Sequence, residues 1–175
     1  MTPLKKTALT ALVVLASSWQ PASAKQNDPA DVAAIHAVVE QFRMAIIHKD
    51  KPSFMRLFFS DKPEDVTWQW VVDDAAMARI RKTKPDARKA RHVAGSNYLS
   101  FIDGETRPGA KAGEEKFRDV KIDTDGEVAS VNFDYSYLED GGETNWGREM
   151  WQLVRSDDGW KIISVIYSVR DPVRK

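Results

Sequence analysis

The sequence predicts an α+β fold in which a long N-terminal helix lies against a strongly curved antiparallel sheet. Apolar residues recur at helical spacing over residues 31–48, and from about residue 115 they alternate in steps of two. Gly-bearing turns divide that second half into hairpins.

The chain has 175 residues, of which 1–24 read as an export leader, leaving 151 for one folded domain. Lys5 and Lys6 precede an apolar run over 8–16, and Ala22-Ser23-Ala24 offers a small-x-small cleavage pattern. The run is about half of the roughly 20 apolar residues needed to span a bilayer. A mature chain without a membrane span, periplasmic or secreted, is therefore expected. The whole chain carries 26 basic and 26 acidic residues; without the two leader lysines the balance is 24 against 26. No global positive field exists to hold nucleic acid or an anionic membrane. With no cysteine, disulfides, thiol nucleophiles and thiolate metal sites are excluded.

Residues 25–30 are polar and read as a flexible start. Over 31–48, Val32, Ile35, Val38, Val39, Phe42, Ile46 and Ile47 form one stripe, with Asp31 as the expected N-cap. Asp50-Lys51-Pro52 restarts the chain into a short helix carrying Phe54, Met55, Leu57 and Phe58 and ending near Ser60. Residues 66–72 alternate as a strand with Trp68 and Trp70 on one face. Asp73 or Asp74 caps a helix to about Lys84, which Pro85 stops. One or two helical turns over 97–102 lead into a mobile loop over 103–114. Strands follow at 116–123, 127–138, 145–155 and 160–169, joined by Thr124-Asp125-Gly126, Asp140-Gly141-Gly142 and Asp157-Asp158-Gly159. The domain spans 31–170, with 171–175 as a tail.

A bent sheet wrapped on a long helix leaves a cone that the two layers do not fill. This element order resembles the nuclear transport factor 2-like superfamily, and within it the SnoaL-like members. The resemblance rests on Glu149-Met150-Trp151-Gln152-Leu153-Val154-Arg155 followed by Gly159-Trp160-Lys161-Ile162-Ile163. It rests also on Ala34, Ile35, Val39, Phe42 and Ile46 leading to Lys49-Asp50-Lys51. It implies a cone-shaped barrel over residues 31–170. The superfamily includes ketosteroid isomerase, polyketide cyclases, dehydratases and oligomerisation domains, and its enzymes place acid–base residues inside the cone. Many SnoaL-like members carry histidines on the last strand. Here those places hold Ser164 and Ile166, which argues against a histidine-based reaction.

Asp134 shares a strand face with Asn132 and Ser136; it is a candidate general base if that face lines the cone, and a solvated residue otherwise. Trp68, Trp70, Tyr98, Tyr135, Tyr137, Trp151 and Tyr167 suit a pocket for a flat apolar molecule, or plain core. Arg148 and Glu149 point to opposite faces of one strand, so one of them looks inward and needs a partner or a ligand. Asp134 or Glu143 is placed to pair with Arg148. His36 and His48 are separated by about 18 Å of helical rise and cannot share a metal; neither metal nor cofactor is expected. Seven basic residues between Arg79 and Arg91 read as a solvated face, or as a seat for an anionic partner. Three functions follow: a binding module for a small hydrophobic molecule, an isomerase or dehydratase using Asp134 with a tyrosine donor, or an interaction domain. The open sheet face points to a homodimer.

Overall fold

A computed structural model describes residues 26–172 of the chain. The predicted leader at 1–24 and the last three residues of the tail lie outside the described residues. Helix α1 runs over Pro29–Ile47, capped by Asp28, whose carboxylate accepts from the Ala30 amide at 3.0 Å. The cap thus lies three residues before the expected Asp31. Pro29 fits the first helical turn because its missing N–H has no partner to lose there. Asp31 instead forms an ion pair with Arg155, tying the start of α1 to the sheet.

Asp50 caps α2 (Lys51–Met55) by accepting from the Ser53 amide at 3.0 Å. This helix ends before the expected Ser60, because the chain at Phe58 leaves the helix to bridge Ile162 of the sheet. Strand β1 (Thr67–Val72) is followed by α3 (Asp74–Thr83), capped by Asp73. Helix α4 (Tyr98–Thr106) opens on a capping box between Asn97 and Ser100. It runs through Asp103 and Gly104, so the loop expected over 103–114 shrinks to the six residues before β2.

Strands β2 (Gly113–Thr124), β3 (Val128–Glu139), β4 (Gly142–Ser156) and β5 (Gly159–Val169) form the expected antiparallel meander. β1 adds to its edge as a parallel neighbour of β5, giving the order β1-β5-β4-β3-β2. The sheet is curled without closing into a barrel. Register shifts in β2 between Arg118 and Lys121, at Tyr137/Leu138 and at Gln152/Leu153 supply bends. The first holds Asp119 at φ +54°, one extra residue against β3.

α1 buries Ile35, Val38, Val39, Phe42, Ala45 and Ile46. Phe42 meets Phe54 and Trp151 at 4.7 Å each, and Trp151 meets Phe133 edge-on at 5.0 Å. These rings fill the interior between helix and sheet. Toward the other end, where β3 and β5 finish and β2 and β4 begin, the interior is open.

Candidate functional site

Inward-facing residues at that open end fall in cross-strand rows. Trp70 (β1), Tyr167 (β5), Glu149 (β4) and Phe133 (β3) stand opposite one another in turn. A second row runs Glu115 (β2), Tyr137 (β3) and Asn145 (β4), and a third runs Phe117, Tyr135 and Gly147. With Trp68 from β1 and Phe101 and Glu105 from α4, these residues other than Phe133, Phe117 and Gly147 line a cup of about 410 Å³. Gly147 is required for this shape. A side-chain carbon there would collide with the Ser168 carbonyl and lie 2.9 Å from the Tyr135 ring.

Trp68 lies 5.6 Å from Phe101 and 5.8 Å from Tyr167, the latter edge-on. Tyr135 meets Tyr167 edge-on at 6.2 Å. The Tyr137 hydroxyl donates to Glu105 Oε1 at 2.6 Å. The Tyr135 hydroxyl has one hydrogen to give, to Asn145 Oδ1 at 3.0 Å or to the Ser168 carbonyl at 3.1 Å.

Two carboxylates sit deep in this aromatic wall, Glu115 at 5% exposure and Glu149 at 4%. Glu149 Oε2 accepts the indole N–H of Trp151 at 2.6 Å, whereas Glu115 Oε2 is buried with no hydrogen-bond partner among the described residues. Burial penalises the charged form first, and the nearby charges of Glu149 and Glu105 add to it, so Glu115 takes its proton well above the usual carboxylate range. Glu149 is pushed up to about 7 by burial, against the opposing pull of the Trp151 indole. Burial and these neighbouring carboxylates hold Tyr135 and Tyr167 above the ordinary phenol range; for Tyr137 burial acts with its bond to Glu105. All three therefore stay protonated donors. Two acids so placed titrate as a pair, both above the ordinary carboxylate range.

Of the residues singled out by sequence, Trp68, Trp70, Tyr135, Tyr137 and Tyr167 line the cup. Trp151 lies beneath it, reaching Glu149 with its indole. Tyr98 is core: it stacks on Phe58 at 4.1 Å and donates to the Ser60 carbonyl at 2.6 Å. Asp134 and Arg148 are corrections to the expected site. They occupy the outer face, where Arg148 Nε donates to Asp134 Oδ1 at 3.0 Å, and neither lines the cup. Strand alternation decides this: Phe133 and Tyr135 turn inward, so Asp134 between them turns outward. Glu149 is the inward charge of the Arg148–Glu149 pair. Phe101, Glu105, Glu115 and Asn145 were not anticipated.

In the basic segment, Lys89 pairs with Asp74 at 2.6 Å, Arg79 pairs with Asp171, and Arg81 donates to the Ala87 carbonyl at 3.1 Å. These residues lie on the surface. Among the described residues no group of three His, Asp or Glu side chains is placed to hold a metal ion, and no helix is long and apolar enough to cross a membrane. A larger hollow of about 620 Å³ on the outer side of α1 is an open groove with no buried ionisable side chain.

In three dimensions the chain is similar to a nuclear transport factor 2-like protein with a cystatin-like fold from Novosphingobium aromaticivorans. The two share 11% identity over 82% of this chain and 84% of that one, with a TM-score of 0.57. A cystatin-like protein of unknown function from Nostoc punctiforme shows 12% identity over 83% and 95%, TM-score 0.55. A cystatin-like fold protein from Burkholderia xenovorans shows 19% identity over 85% and 98%, TM-score 0.51. No family model and no curated protein matches the chain. At these identities the likeness is one of fold.

Proposed function

We propose that this chain, which has the nuclear transport factor 2-like, cystatin-like fold, is an exported domain whose cup binds a small, largely apolar molecule. The observation that carries this reading is the cup itself: about 410 Å³ of space walled by Trp68, Trp70, Phe101, Tyr135, Tyr137 and Tyr167. A domain of this size has no packing reason to leave such a hollow beside buried polar groups. Export is supported by the Lys5-Lys6 start, the apolar run at 8–16 and Ala22-Ser23-Ala24, which make the mature protein periplasmic or secreted.

N-phenyl-1-naphthylamine, a neutral apolar fluorophore, is expected to bind one to one with enhanced emission. Trp68→Ala, which removes a half-buried wall residue of the edge strand, is expected to weaken binding about tenfold, or about 1.4 kcal/mol. Absence of binding, or binding indifferent to Trp68→Ala and Phe101→Ala, contradicts the reading.

Proton transfer within the bound molecule is a second reading, of the isomerase or dehydratase type. It is supported by Glu149, whose titration near 7 suits an acid–base group, and by the tyrosine donors beside it. Glu149 and Glu115 take the role that sequence had offered to Asp134.

The outer sheet face supports a homodimer. Met150 and Ile166 stand opposite each other in register and are 48% and 43% exposed, among Ser130, Asn132, Gln152 and Ser164. Light scattering after size exclusion is expected to give a dimer mass for the mature chain and a monomer mass for Ile166→Lys. A monomeric unsubstituted chain contradicts the assignment.

A further inference from the structure

We infer that the molecule taken by the cup carries a protonated nitrogen, with its apolar body against the rings and its ammonium group between Glu115 and Glu149. This rests on the ligand-binding reading above and names the class of ligand.

The charges facing the cup are all of one sign. Glu105 comes from α4, Glu115 from β2, Glu139 from β3 and Glu149 from β4, and no Lys, Arg or His is among the residues that line it. Arg170, whose charge reaches Tyr135, lies over the Trp146 ring at 5.0 Å and is not part of the lining. Glu139 is paired with Lys111 at 2.8 Å; an anionic ligand would meet Glu105, Glu115 and Glu149 with no cationic side chain among the described lining residues.

Glu115 lines the cup and is 95% shielded, and its buried Oε2 has no hydrogen-bond donor among the described residues. Buried oxygens of native proteins are almost always satisfied, so this one asks for a donor from the ligand. A hydrocarbon has none to give, and a neutral hydroxyl has one for two carboxylates. An ammonium brings three N–H donors and the charge that makes ionising both acids favourable. The walls suit it as well, because the faces of Trp and Tyr attract cations and do so more strongly when water is excluded.

In the empty cup the acid pair keeps at least one proton, supported by the raised titration of both groups. Binding of R–NH3+ displaces that proton to solvent, leaving two carboxylates and one ammonium. No bond to carbon is made or broken. Ammonium affinity therefore rises with pH through the range where the pair titrates, while the affinity of a neutral analogue does not.

The test compares three indoles of one shape: tryptamine, tryptophol and indole-3-propionate. Calorimetry near pH 8 is expected to show tryptamine binding at least about tenfold more tightly than tryptophol, with the propionate weakest. Near pH 5 the advantage is expected to shrink to within about threefold. Titration near pH 7 in two buffers of different ionisation heat is expected to reveal proton release with tryptamine and none with tryptophol. Glu115→Gln, which removes the ionisable group and keeps the shape, is expected to bring tryptamine and tryptophol to within about threefold of each other near pH 8 and to abolish the proton release. Equal affinity for tryptamine and tryptophol overturns the inference and leaves the ligand-binding reading standing. So does binding of N-phenyl-1-naphthylamine without any of the indoles. Failure of all four probes overturns both.

Discussion

Raising the pH from about 5 to about 8 is expected to lower the stability of this protein by on the order of 2–3 kcal/mol through the coupled pair of Glu149 and Glu115. Glu149 holds its proton up to about 7 in the folded chain and to near 4.5 once unfolding returns it to water. Between those values the folded state binds more protons than the unfolded one, so stability falls as pH rises. The contribution is fully present below about 4.5 and lost as pH passes about 7. Glu115, raised by the same burial and by Glu149 itself, acts in the same direction. The carboxylates lowered by partners, Glu40, Asp50, Asp74 and Asp125, have the opposite sign, but they lose stability only in more acidic solution. Glu149→Gln is therefore expected to stabilise the protein near pH 8, change it little near pH 5 and flatten the profile between. Urea unfolding of both proteins at the two pH values checks this; identical profiles contradict it.

Trp151→Ala is expected to cost about 3–5 kcal/mol, a large fraction of the roughly 5–15 kcal/mol that holds an ordinary domain together. Its indole is fully buried where the filled and open parts of the interior meet. It packs on Phe42 at 4.7 Å, Phe133 at 5.0 Å and Phe117 at 6.2 Å, so truncation opens a void bounded on three sides by rings. Trp151→Phe separates packing from polarity. It keeps a ring in the gap but removes the N–H that reaches Glu149 Oε2 at 2.6 Å. The lost donor had favoured the charged carboxylate, so Trp151→Phe is expected to raise the midpoint of the pH–stability profile above about 7. Unfolding curves for both variants across pH measure the two effects. A Phe variant with an unmoved midpoint would show that the indole does not hold the Glu149 charge.

The architecture was legible because its signals are local and repeated. The stripe on α1, the Gly turns and the alternation of β3 and β4 each specify one element, and together they leave few arrangements. Glu149 was half legible: alternation from Trp151 and Leu153 carries it inward, and sequence flagged it only as one member of an opposed pair. Glu115 was hidden by backbone geometry. Followed backwards from Thr124, Ile122 and Val120, the inward phase of β2 would put Glu115 outside. The extra residue at Asp119 reverses that phase, so Phe117, Glu115 and Gly113 face in. Nothing in local composition marks a bulge at an aspartate. Asp134 attracted notice because it lies between aromatic residues, and that same position sends it outward. Phe101 lay within the expected turns over 97–102 but was given no role, and Glu105 was lost with the part of α4 beyond them, since Gly104 reads as a turn until Asn97 and Ser100 are seen to cap the helix.

The central claim is that an aromatic cup keeps two carboxyl groups from ionising together in neutral water. Carbon-13 NMR of the glutamate side-chain carboxyl groups, assigned through Glu115→Gln and Glu149→Gln, tests it most directly. Two carboxyl resonances are expected to titrate far from the rest, one with a midpoint near 7 and the other well above the usual carboxylate range. If both titrate in the ordinary carboxylate range, the two groups are solvated and the cup does not hold their protons.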